Sequence, residues 1–241
     1  MRSQALGLHQ FVARLITHSD ISVEERSAIL ALPFHEMDLL PRTDLIVEDA
    51  PTSSILYVAS GLVSSFTEAR SAKRQIIGLH IPGDMINLDA ANCSIGFRAF
   101  KAECATVVLA IPLPAVLELL ERYPSLVSAF WRDGMADSKV LINWINVVGR
   151  KSARSKVAHR FCEMAFRYTK ADTPVLAFDF PITQKRFADA VAMSPVHLNR
   201  LLRELREDRV LTFDDGKVVI HSWQRLARIG EFKEDYLVDL N

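Results

Sequence analysis

Residues 183–208, "TQKRFADAVAMSPVHLNRLLRELRED", hold two short segments with helical apolar spacing, separated by a turn. The second segment places four leucines at i, i+3, i+4 and i+7, the spacing of one buried helix face: Leu198, Leu201, Leu202 and Leu205. The opposite side of that helix carries His197, Asn199, Arg200 and Arg203. Basic and amide side chains on an exposed helix face are groups that hydrogen-bond to base edges and phosphates. We therefore expect this helix to enter a DNA groove.

Both segments carry signals for a helix start. Thr183 is a candidate N-cap for the first helix and Ser194 for the second. Pro195 then takes the first helical position, where its missing N–H costs no hydrogen bond. Two helices joined by the short turn "AMS" predict a helix-turn-helix.

The following stretch, "RVLTFDDGKVVIHSW", predicts a β-hairpin. Two β-prone segments flank Asp215-Gly216, a dipeptide typical of tight hairpin turns. A hairpin placed directly after a helix-turn-helix indicates a wing. The alternative is a three-helix domain with a purely structural role.

The rest of the chain must position the helix-turn-helix and its wing, which together we call the reading head. The first forty residues have helical spacing, and Ser22 with Glu25 forms a capping-box pattern. From about Thr43 to Pro112, short segments rich in Val, Ile and Phe alternate with turn residues, which favours a sandwich or barrel of strands. The predicted fold class is α+β: an N-terminal jelly-roll-like β-roll as sensor domain, a long dimerisation helix, and a C-terminal winged helix-turn-helix.

The dimerisation helix is predicted at about 124–148, and it is apolar on two sides. One predicted seam contains Trp131, Met135, Ile142 and Ile145. The other contains Val127, Phe130, Leu141, Trp144 and Val148. One seam can pack on the β-roll, while the other needs a partner, most simply a second copy of this helix. We expect a homodimer, the alternative being that both seams pack within one chain. We also expect a hinge at 150–155, with a sensor domain at 1–150 and a DNA-binding domain at 151–241.

The charge and cysteine content of the chain exclude few classes of function. The 241-residue chain has a formal net charge of zero, divided as −3 over residues 1–150 and +3 over residues 151–241. The basic stretch "RKSARSKVAHR" at 150–160 is either a nucleic-acid contact or a solvated helix face. Three cysteines without a CxxC pattern fit a reducing compartment. We see no signal peptide and no span long enough for a bilayer, so the expected location is the cytoplasm, without a membrane partner.

The order of these elements, from about residue 25 to 225, resembles that of the Crp/Fnr family of bacterial transcription regulators. "VASGLVSSF" is similar to the turn of the family's β-roll, and "GLHIPGDMINL" is similar to its glycine–acid segment. "ITQKRFADAVAMSPVHLNRLLREL" closely follows the reading head of one branch, with Ala192 where a turn glycine is usual. The resemblance implies a transcription regulator that binds double-stranded DNA as a homodimer on a palindromic operator, contacts RNA polymerase if it is an activator, and is not an enzyme.

The resemblance also implies roles for single residues. Pro195, Val196 and Arg200 take the three positions that face bases. The positions near the DNA backbone are taken by Lys185, Ser194, His197, Asn199 and Arg203. Only Arg200 keeps the usual chemistry, because Arg is a bidentate partner of guanine, whereas Val196 offers only an apolar contact with a thymine methyl group.

The possible effector pocket of the β-roll departs from the cyclic-nucleotide-binding pattern. Its candidate residues are Gly83, Asp84 and Arg98. Asp84 replaces the family's glutamate, and Gly96 and Phe97 stand in the slots of its Arg-Ser pair. We therefore do not expect cyclic AMP as effector.

Other cofactors have little support in the sequence. An iron–sulfur cluster is not expected because no cysteine precedes Cys93. Cys93 and Cys104 are candidates for a redox pair, with inert thiols as the alternative. The histidines show no His-x-His pattern, so we expect no metal site, while haem ligation by His80 stays open. The effector is unknown.

Two other function classes compete with a DNA-binding regulator. A cupin-like enzyme on the β-roll would need convergent His and carboxylate residues, whereas the predicted strands offer mainly apolar, Ser and Arg side chains. A cyclic-nucleotide-binding subunit acting on another protein would have no use for a winged helix-turn-helix. We therefore expect no catalytic residues.

Overall fold

The computed structural model describes residues 7–46, 53–68, 74–88, 99–168 and 176–238. In chain order its elements are α1 His9–Ile16, α2 Val23–Leu30, β1 His35–Leu39, β2 Asp44–Ile46, β3 Ser54–Ser60, β4 Val63–Glu68, β5 Arg74–His80, β6 Met85–Ile86, β7 Ala99–Ala102, β8 Thr106–Pro112, α3 Leu113–Arg122, α4 Pro124–Arg150, α5 Ala153–Arg167, β9 Ala177–Asp179, α6 Gln184–Ala190, α7 Pro195–Glu207, β10 Leu211–Asp214, β11 Lys217–Ile220, α8 Trp223–Gly230 and α9 Asp235–Val238. The chain divides into two compact units, the first formed by residues up to 67 with 79–138, the second by 68–78 with 139–239.

Two four-stranded sheets form the β-roll, with strand orders β1-β8-β3-β6 and β2-β7-β4-β5. β3 pairs antiparallel with β8, so that Leu56 faces Ala110, and β1 pairs antiparallel with the other edge of β8. The expected α+β class with an N-terminal roll, a long helix and a C-terminal winged helix-turn-helix is confirmed.

Strands β3 and β8 are apolar on both faces because each face meets a different core. Leu56 and Val58 of β3 point into the roll with Val108 and Ala110 of β8. The alternate residues of the same strands, including Ile55 and Tyr57 in β3 and Leu109 and Ile111 in β8, pack with helices α1 to α4. Period-two alternation therefore divides each strand between two cores.

The turn between β3 and β4 requires glycine for two reasons. Gly61 has a φ of +89°, a conformation that side-chain-bearing residues rarely adopt. A Cβ at this position would also lie 2.7 Å from the carbonyl oxygen of Ala105. This explains why the sequence pattern around Gly61 is specific.

Two expectations for the first forty residues had different outcomes. The capping box of α2 is confirmed, since the Ser22 N–H donates to Glu25 Oε2 at 2.7 Å and the Glu25 N–H donates to Ser22 Oγ at 3.2 Å. The helical interpretation is wrong for His35–Leu39, which forms strand β1. Pairing with β8 outweighs the weak local preference of this charged segment.

The long helix is confirmed, but its two seams divide differently from the expectation. Phe130 and Trp144 are buried, whereas Val127 is half exposed and joins the exposed apolar side chains of α4. With 100° per residue, Val127, Trp131, Met135, Ile142 and Ile145 fall within an arc of about 80°. We call these five residues the exposed α4 face. None of the helices in the described ranges is long and apolar enough to cross a membrane.

The second unit has a small sheet of order β10-β11-β9 and a core rich in aromatic rings. Phe161 of α5 contacts Phe180, Phe187 and Phe213, with ring centroids 4.8 to 6.1 Å apart. The predicted hairpin is present as β10 and β11, in which Asp214 pairs with Lys217. Its turn residues Asp215 and Gly216 both have positive φ, as tight hairpin turns that follow the strand twist require.

Candidate nucleic-acid interface

Helices α6 and α7 begin directly after Thr183 and Ser194, the two residues predicted as caps. Thr183 Oγ1 accepts a hydrogen bond from the Arg186 N–H, and Ser194 Oγ accepts one from the His197 N–H, both at 3.3 Å. Pro195 is the first residue of α7. Each cap satisfies a backbone donor that the helix itself leaves free, which fixes the start of the recognition helix.

The turn between the two helices contains a conformationally strained residue. Ala192 has a φ of +52°, in the left-handed region. This conformation costs an L-residue with a Cβ roughly 1–2 kcal/mol, which is why glycine is favoured in such turns. The chain keeps the turn because Phe187, Val191 and Leu198 on either side are fully buried.

Helix α7 has one buried and one exposed face. Its four leucines, Leu198, Leu201, Leu202 and Leu205, are buried. The side chains of Pro195, Val196, Asn199, Arg200 and Arg203 are exposed, while His197 is half-buried. Exposure is high at Val196, with 81% of its surface accessible. An apolar residue left this open on a recognition helix is available to pack on a partner surface.

The exposed face is positive, with few internal partners. Arg200 has a long contact with Glu204, 3.8 Å from Nε to Oε1, and exposed pairs of this kind are weak. Within the described residues, the side chains of Lys185, Asn199 and Arg203 make no hydrogen bond or ion pair. These groups are therefore free to bind phosphates or bases.

A cleft of about 230 Å³ adds two residues that sequence reasoning missed. Gln184 and Arg206 line it together with Asn199, Arg203 and Asp214. Arg206 follows Arg203 by three residues, so helical periodicity alone could have added it to the exposed face. Gln184 is the first residue of α6, where a helix N-terminus favours an anion.

The basic stretch at 150–160 mostly stabilises the second unit. Lys151 Nζ donates to the carbonyl oxygens of Gly230 and Glu231, at 2.7 and 2.9 Å. Arg154 pairs with Asp208. Arg160 is fully buried. Three of the five cations in this stretch therefore have structural roles, and the stretch as a whole is neither a free DNA patch nor a solvated face.

Of the three candidate effector residues, Gly83 and Asp84 are described and Arg98 lies outside the described residues. Gly83 has a φ of +106°. Asp84 Oδ2 accepts a hydrogen bond from the Ile81 N–H at 2.9 Å, and Asp84 Oδ1 lies 2.8 Å from Arg14 Nη1. The Asp84 carboxylate thus already has a cationic partner.

Arg14 connects that carboxylate to the long helix. Its Nη2 lies 2.6 Å from Oδ2 of Asp133, which is completely buried, and His18 Nε2 is 3.9 Å from the other oxygen of Asp133. We call Arg14, His18, Asp84 and Asp133 the Arg14 cluster. Burial acts to lower the pKa of Arg14, but the carboxylates of Asp133 and Asp84 outweigh it and raise this pKa above its ordinary value.

The other residues considered for cofactors are packed in the protein. His80 Nε2 lies 3.1 Å from Ser65 Oγ, and its ring is 5.6 Å from that of Phe100. Burial raises the pKa of the Cys162 thiol, which keeps it protonated. Cys93 lies outside the described residues, so its pairing with Cys104 stays a prediction. Over the described ranges, no group of three metal-binding side chains comes together.

Comparison with known proteins agrees with this geometry. The family model of the Crp-like helix-turn-helix domain matches residues 155–229. The fumarate and nitrate reduction regulatory protein of Yersinia pestis is 21% identical over 73% of this chain and 70% of its own. Regulatory protein HlyX of Actinobacillus pleuropneumoniae is 23% identical over 72% of each chain.

Solved structures share the fold. FixK2 from Bradyrhizobium japonicum superposes with a TM-score of 0.74 at 21% identity, covering 82% of this chain and 98% of that one. A CooA mutant from Carboxydothermus hydrogenoformans has a TM-score of 0.65 at 16% identity, covering 91% and 95%.

A β-roll, a long helix and a winged helix-turn-helix with an exposed cationic face define a DNA-binding transcriptional regulator with a sensor domain. The match of residues 155–229 to the Crp-like helix-turn-helix domain and the similarity of the longer chain to regulatory proteins agree with this class.

Proposed function

We propose that the protein acts as a homodimer that binds a palindromic operator. The observation that carries this proposal is that the same chain exposes two surfaces, the cationic face of α7 and the exposed α4 face. Trp131, Ile142 and Ile145 each have about two thirds of their surface accessible, at 66%, 67% and 67%. Large apolar side chains aligned on one side of a helix stabilise a protein when a second helix covers them.

In this proposal the residues of the reading head divide into two groups. Pro195, Val196 and Arg200 face the bases, and Arg200 binds guanine through its guanidinium. The DNA backbone is bound by Lys185, Ser194, His197, Asn199 and Arg203. The operator differs from that of family members that have glutamate in place of Val196, because valine cannot accept a hydrogen bond from cytosine.

The proposal keeps the functional division at the end of α4. Residues 1–150 are the sensor domain and residues 151–241 the DNA-binding domain. Gly83, Asp84 and Arg98 remain the candidate effector site, and the ion pair of Asp84 with Arg14 supports the expectation that cyclic AMP is not the effector. Because its target is chromosomal DNA, we place the protein in the cytoplasm, where it contacts RNA polymerase if it activates transcription.

Selection of bound duplexes from a random pool tests the DNA-binding proposal. Two inverted half-sites with centres about one helical turn, roughly 34 Å, apart are expected. Arg200→Ala should cost roughly 1–3 kcal/mol and relax one base pair of the motif. Lys185→Ala should weaken all sequences evenly and reduce the salt slope by about one. Arg122→Ala, an exposed arginine of α3, is the matched control and should change neither.

Sedimentation of the protein tests the dimer independently. The wild type should be dimeric, and Ile142→Asp should produce monomers because it places a charge in the apolar contact. A monomeric wild type whose footprint covers one unrepeated half-site would rule out the homodimer. An unchanged selected motif for Arg200→Ala would rule out the placement of the recognition helix.

A further inference from the structure

The chain continues beyond the wing and returns to α5. The last residue of α8, Gly230, lies so close to α5 that an added Cβ would be 2.7 Å from the backbone nitrogen of His159. Lys151 binds the two carbonyl oxygens at this end of α8. The matched family model stops at residue 229, so the segment that follows is outside the shared helix-turn-helix domain. It contains Phe232 and Tyr236.

Tyr236 completes a buried polar cluster between α4 and α5. Its hydroxyl donates to Glu163 Oε2 at 2.9 Å. Glu163 Oε1 accepts from Arg160 Nη1 at 2.7 Å and from Trp144 Nε1 at 3.1 Å. The guanidinium carbon of Arg160 lies 3.0 Å from the centroid of the Trp144 ring. We call Trp144, His159, Arg160, Glu163 and Tyr236 the Arg160 cluster.

His159 of α5 also connects α4 with the segment that follows the wing. Its Nδ1 is 3.0 Å from the carbonyl oxygen of Gly230, and its Nε2 is 2.8 Å from Nδ2 of Asn143 and 3.3 Å from the Tyr236 hydroxyl. A carbonyl oxygen can only accept and an amide nitrogen can only donate. The contact with the Gly230 carbonyl oxygen therefore favours a proton on Nδ1 of His159.

The Arg160 cluster contributes little net stability, but its bonds fix how the elements that form it are arranged. Arg160 and Glu163 are fully buried, and Nε and Nη2 of Arg160 have no hydrogen-bond partner in the part of the chain that the structure describes. Desolvation of such a pair offsets most of its attraction, whereas its directional bonds permit one arrangement of the elements that supply them. The covalent link between α4 and α5 is short and consists of two residues, Lys151 and Ser152.

We propose that residues 231–238 are a positioning element for DNA binding, which acts by fixing the angle between α4 and α5 through Tyr236. This inference rests on the proposed dimer. There, α4 carries the contact between protomers and α5 leads into the reading head, so their angle sets the distance between the two reading heads. A palindromic operator is bound well only when that distance matches its half-site spacing.

The test compares Tyr236→Phe and Tyr236→Ala with the wild type. The control is Tyr123→Phe, because Tyr123 also donates to a glutamate, Glu24, at 2.9 Å, but on the surface of the first unit. The probes are synthetic duplexes of the selected operator, with the half-sites at the native separation or moved by one or two base pairs, and a duplex with a single half-site.

The expected result is a loss of spacing discrimination without a loss of base reading. Wild type and Tyr123→Phe should bind shifted duplexes at least tenfold more weakly than the native duplex. Tyr236→Phe should reduce this penalty to about threefold, and Tyr236→Ala should reduce it further. Affinity for the single half-site should stay within twofold of wild type for Tyr236→Phe.

Two results would overturn the proposal. One is an unchanged spacing penalty in both Tyr236 variants. The other is an equal loss of single half-site affinity in Tyr236→Phe, which would mean that Tyr236 only maintains the fold. A wild type that makes no distinction between spacings would instead contradict the proposed dimer, so the two failures can be told apart.

Discussion

Each unit holds an arginine beside buried carboxylates, Arg14 half-buried and Arg160 fully buried, and the charges around the two arginines are balanced in opposite ways. Arg14 bonds to two carboxylates, Asp84 and Asp133, which lie 70 and 119 residues away in the sequence. Among the described residues, Arg160 bonds to the carboxylate of Glu163, which is three residues further along the same helix. The pKa of Arg14 is raised, whereas burial lowers the pKa of Arg160 to about 10 in spite of Glu163. The Arg14 cluster therefore has surplus negative charge, and the Arg160 cluster has surplus donors.

This difference predicts which chemical group is essential to the stability of each cluster. The first depends on its single guanidinium, because without it two buried carboxylates remain close together. The second depends on its acceptor, since Glu163 alone receives bonds from three side chains, Arg160, Trp144 and Tyr236. The following four experiments test that contrast.

Arg14→Met should have the largest effect. It leaves the buried carboxylate of Asp133 without its cation, and removing one partner of a buried pair costs about 3–5 kcal/mol. Denaturant unfolding followed by hydrogen exchange of α1 and α4 would measure the loss in the first unit. In the double variant with Asp133→Asn the loss should be smaller, because one of the unpaired charges is gone. A loss below about 1 kcal/mol in the single variant would contradict the surplus of negative charge.

Glu163→Gln should have a smaller effect, confined to the second unit. The amide keeps one acceptor for Arg160 and Trp144 but removes the charge, and a hydrogen bond to a charged group contributes about 1.5–3 kcal/mol. We expect a loss of about 2 kcal/mol, measured from the hydrogen exchange of α5. Glu204→Gln, at an exposed ion pair, is the control and should change stability by less than about 0.5 kcal/mol.

Acid should weaken the second unit through His159. Burial lowers its pKa to about 4, in spite of the nearby Glu163, while the unfolded chain titrates near 6.5. The unfolded state therefore binds more protons between these values, and stability is lost as pH falls through this window, by about 1.4 kcal/mol per unit. Unfolding curves at pH 7 and 5.5 would measure the difference. His159→Gln should flatten the dependence, and an equally steep curve in this variant would assign it to other groups.

Cyclic AMP should have no measurable effect on the protein. To bind a ribose, the Asp84 carboxylate would have to give up its bonds to Arg14 and to the Ile81 N–H. Because aspartate is shorter than the family's glutamate, the new bond to the ribose would not make up for this loss. Calorimetry with millimolar nucleotide should give no binding heat. A dissociation constant in the low micromolar range, abolished by Arg98→Ala, would refute this expectation.

The reading head could be predicted from the sequence because its signals are local. Thr183, Ser194 and Pro195 mark helix starts, and Asp215-Gly216 marks the wing, each within a few residues of its own partner. The helical spacing of the leucines of α7 also predicts their burial directly. Such patterns can be recognised in a single sequence because they do not depend on contacts with distant segments.

The two arginine clusters could not be predicted because their partners come from distant parts of the chain. Arg14 meets Asp133 across 119 residues. Tyr236 meets Glu163 across 73 residues. The same reason explains why the role of the basic stretch at 150–160 was open, because Lys151 and Arg154 bind groups at Gly230 and Asp208. Val127 was placed on the wrong seam of α4, although an ideal helical spacing already puts it at the same angle as Ile145.

Strand β1 has a consequence for how the protein behaves at high concentration. It lies at the edge of its sheet, and among the described residues no strand pairs with its outer side. An unpaired edge is a template for another chain, and proteins protect such edges with charges and short length. The residues His35, Glu36 and Asp38, which concealed this strand from sequence analysis, are exposed along it. The charged pattern that obscures the strand therefore also discourages edge-to-edge aggregation.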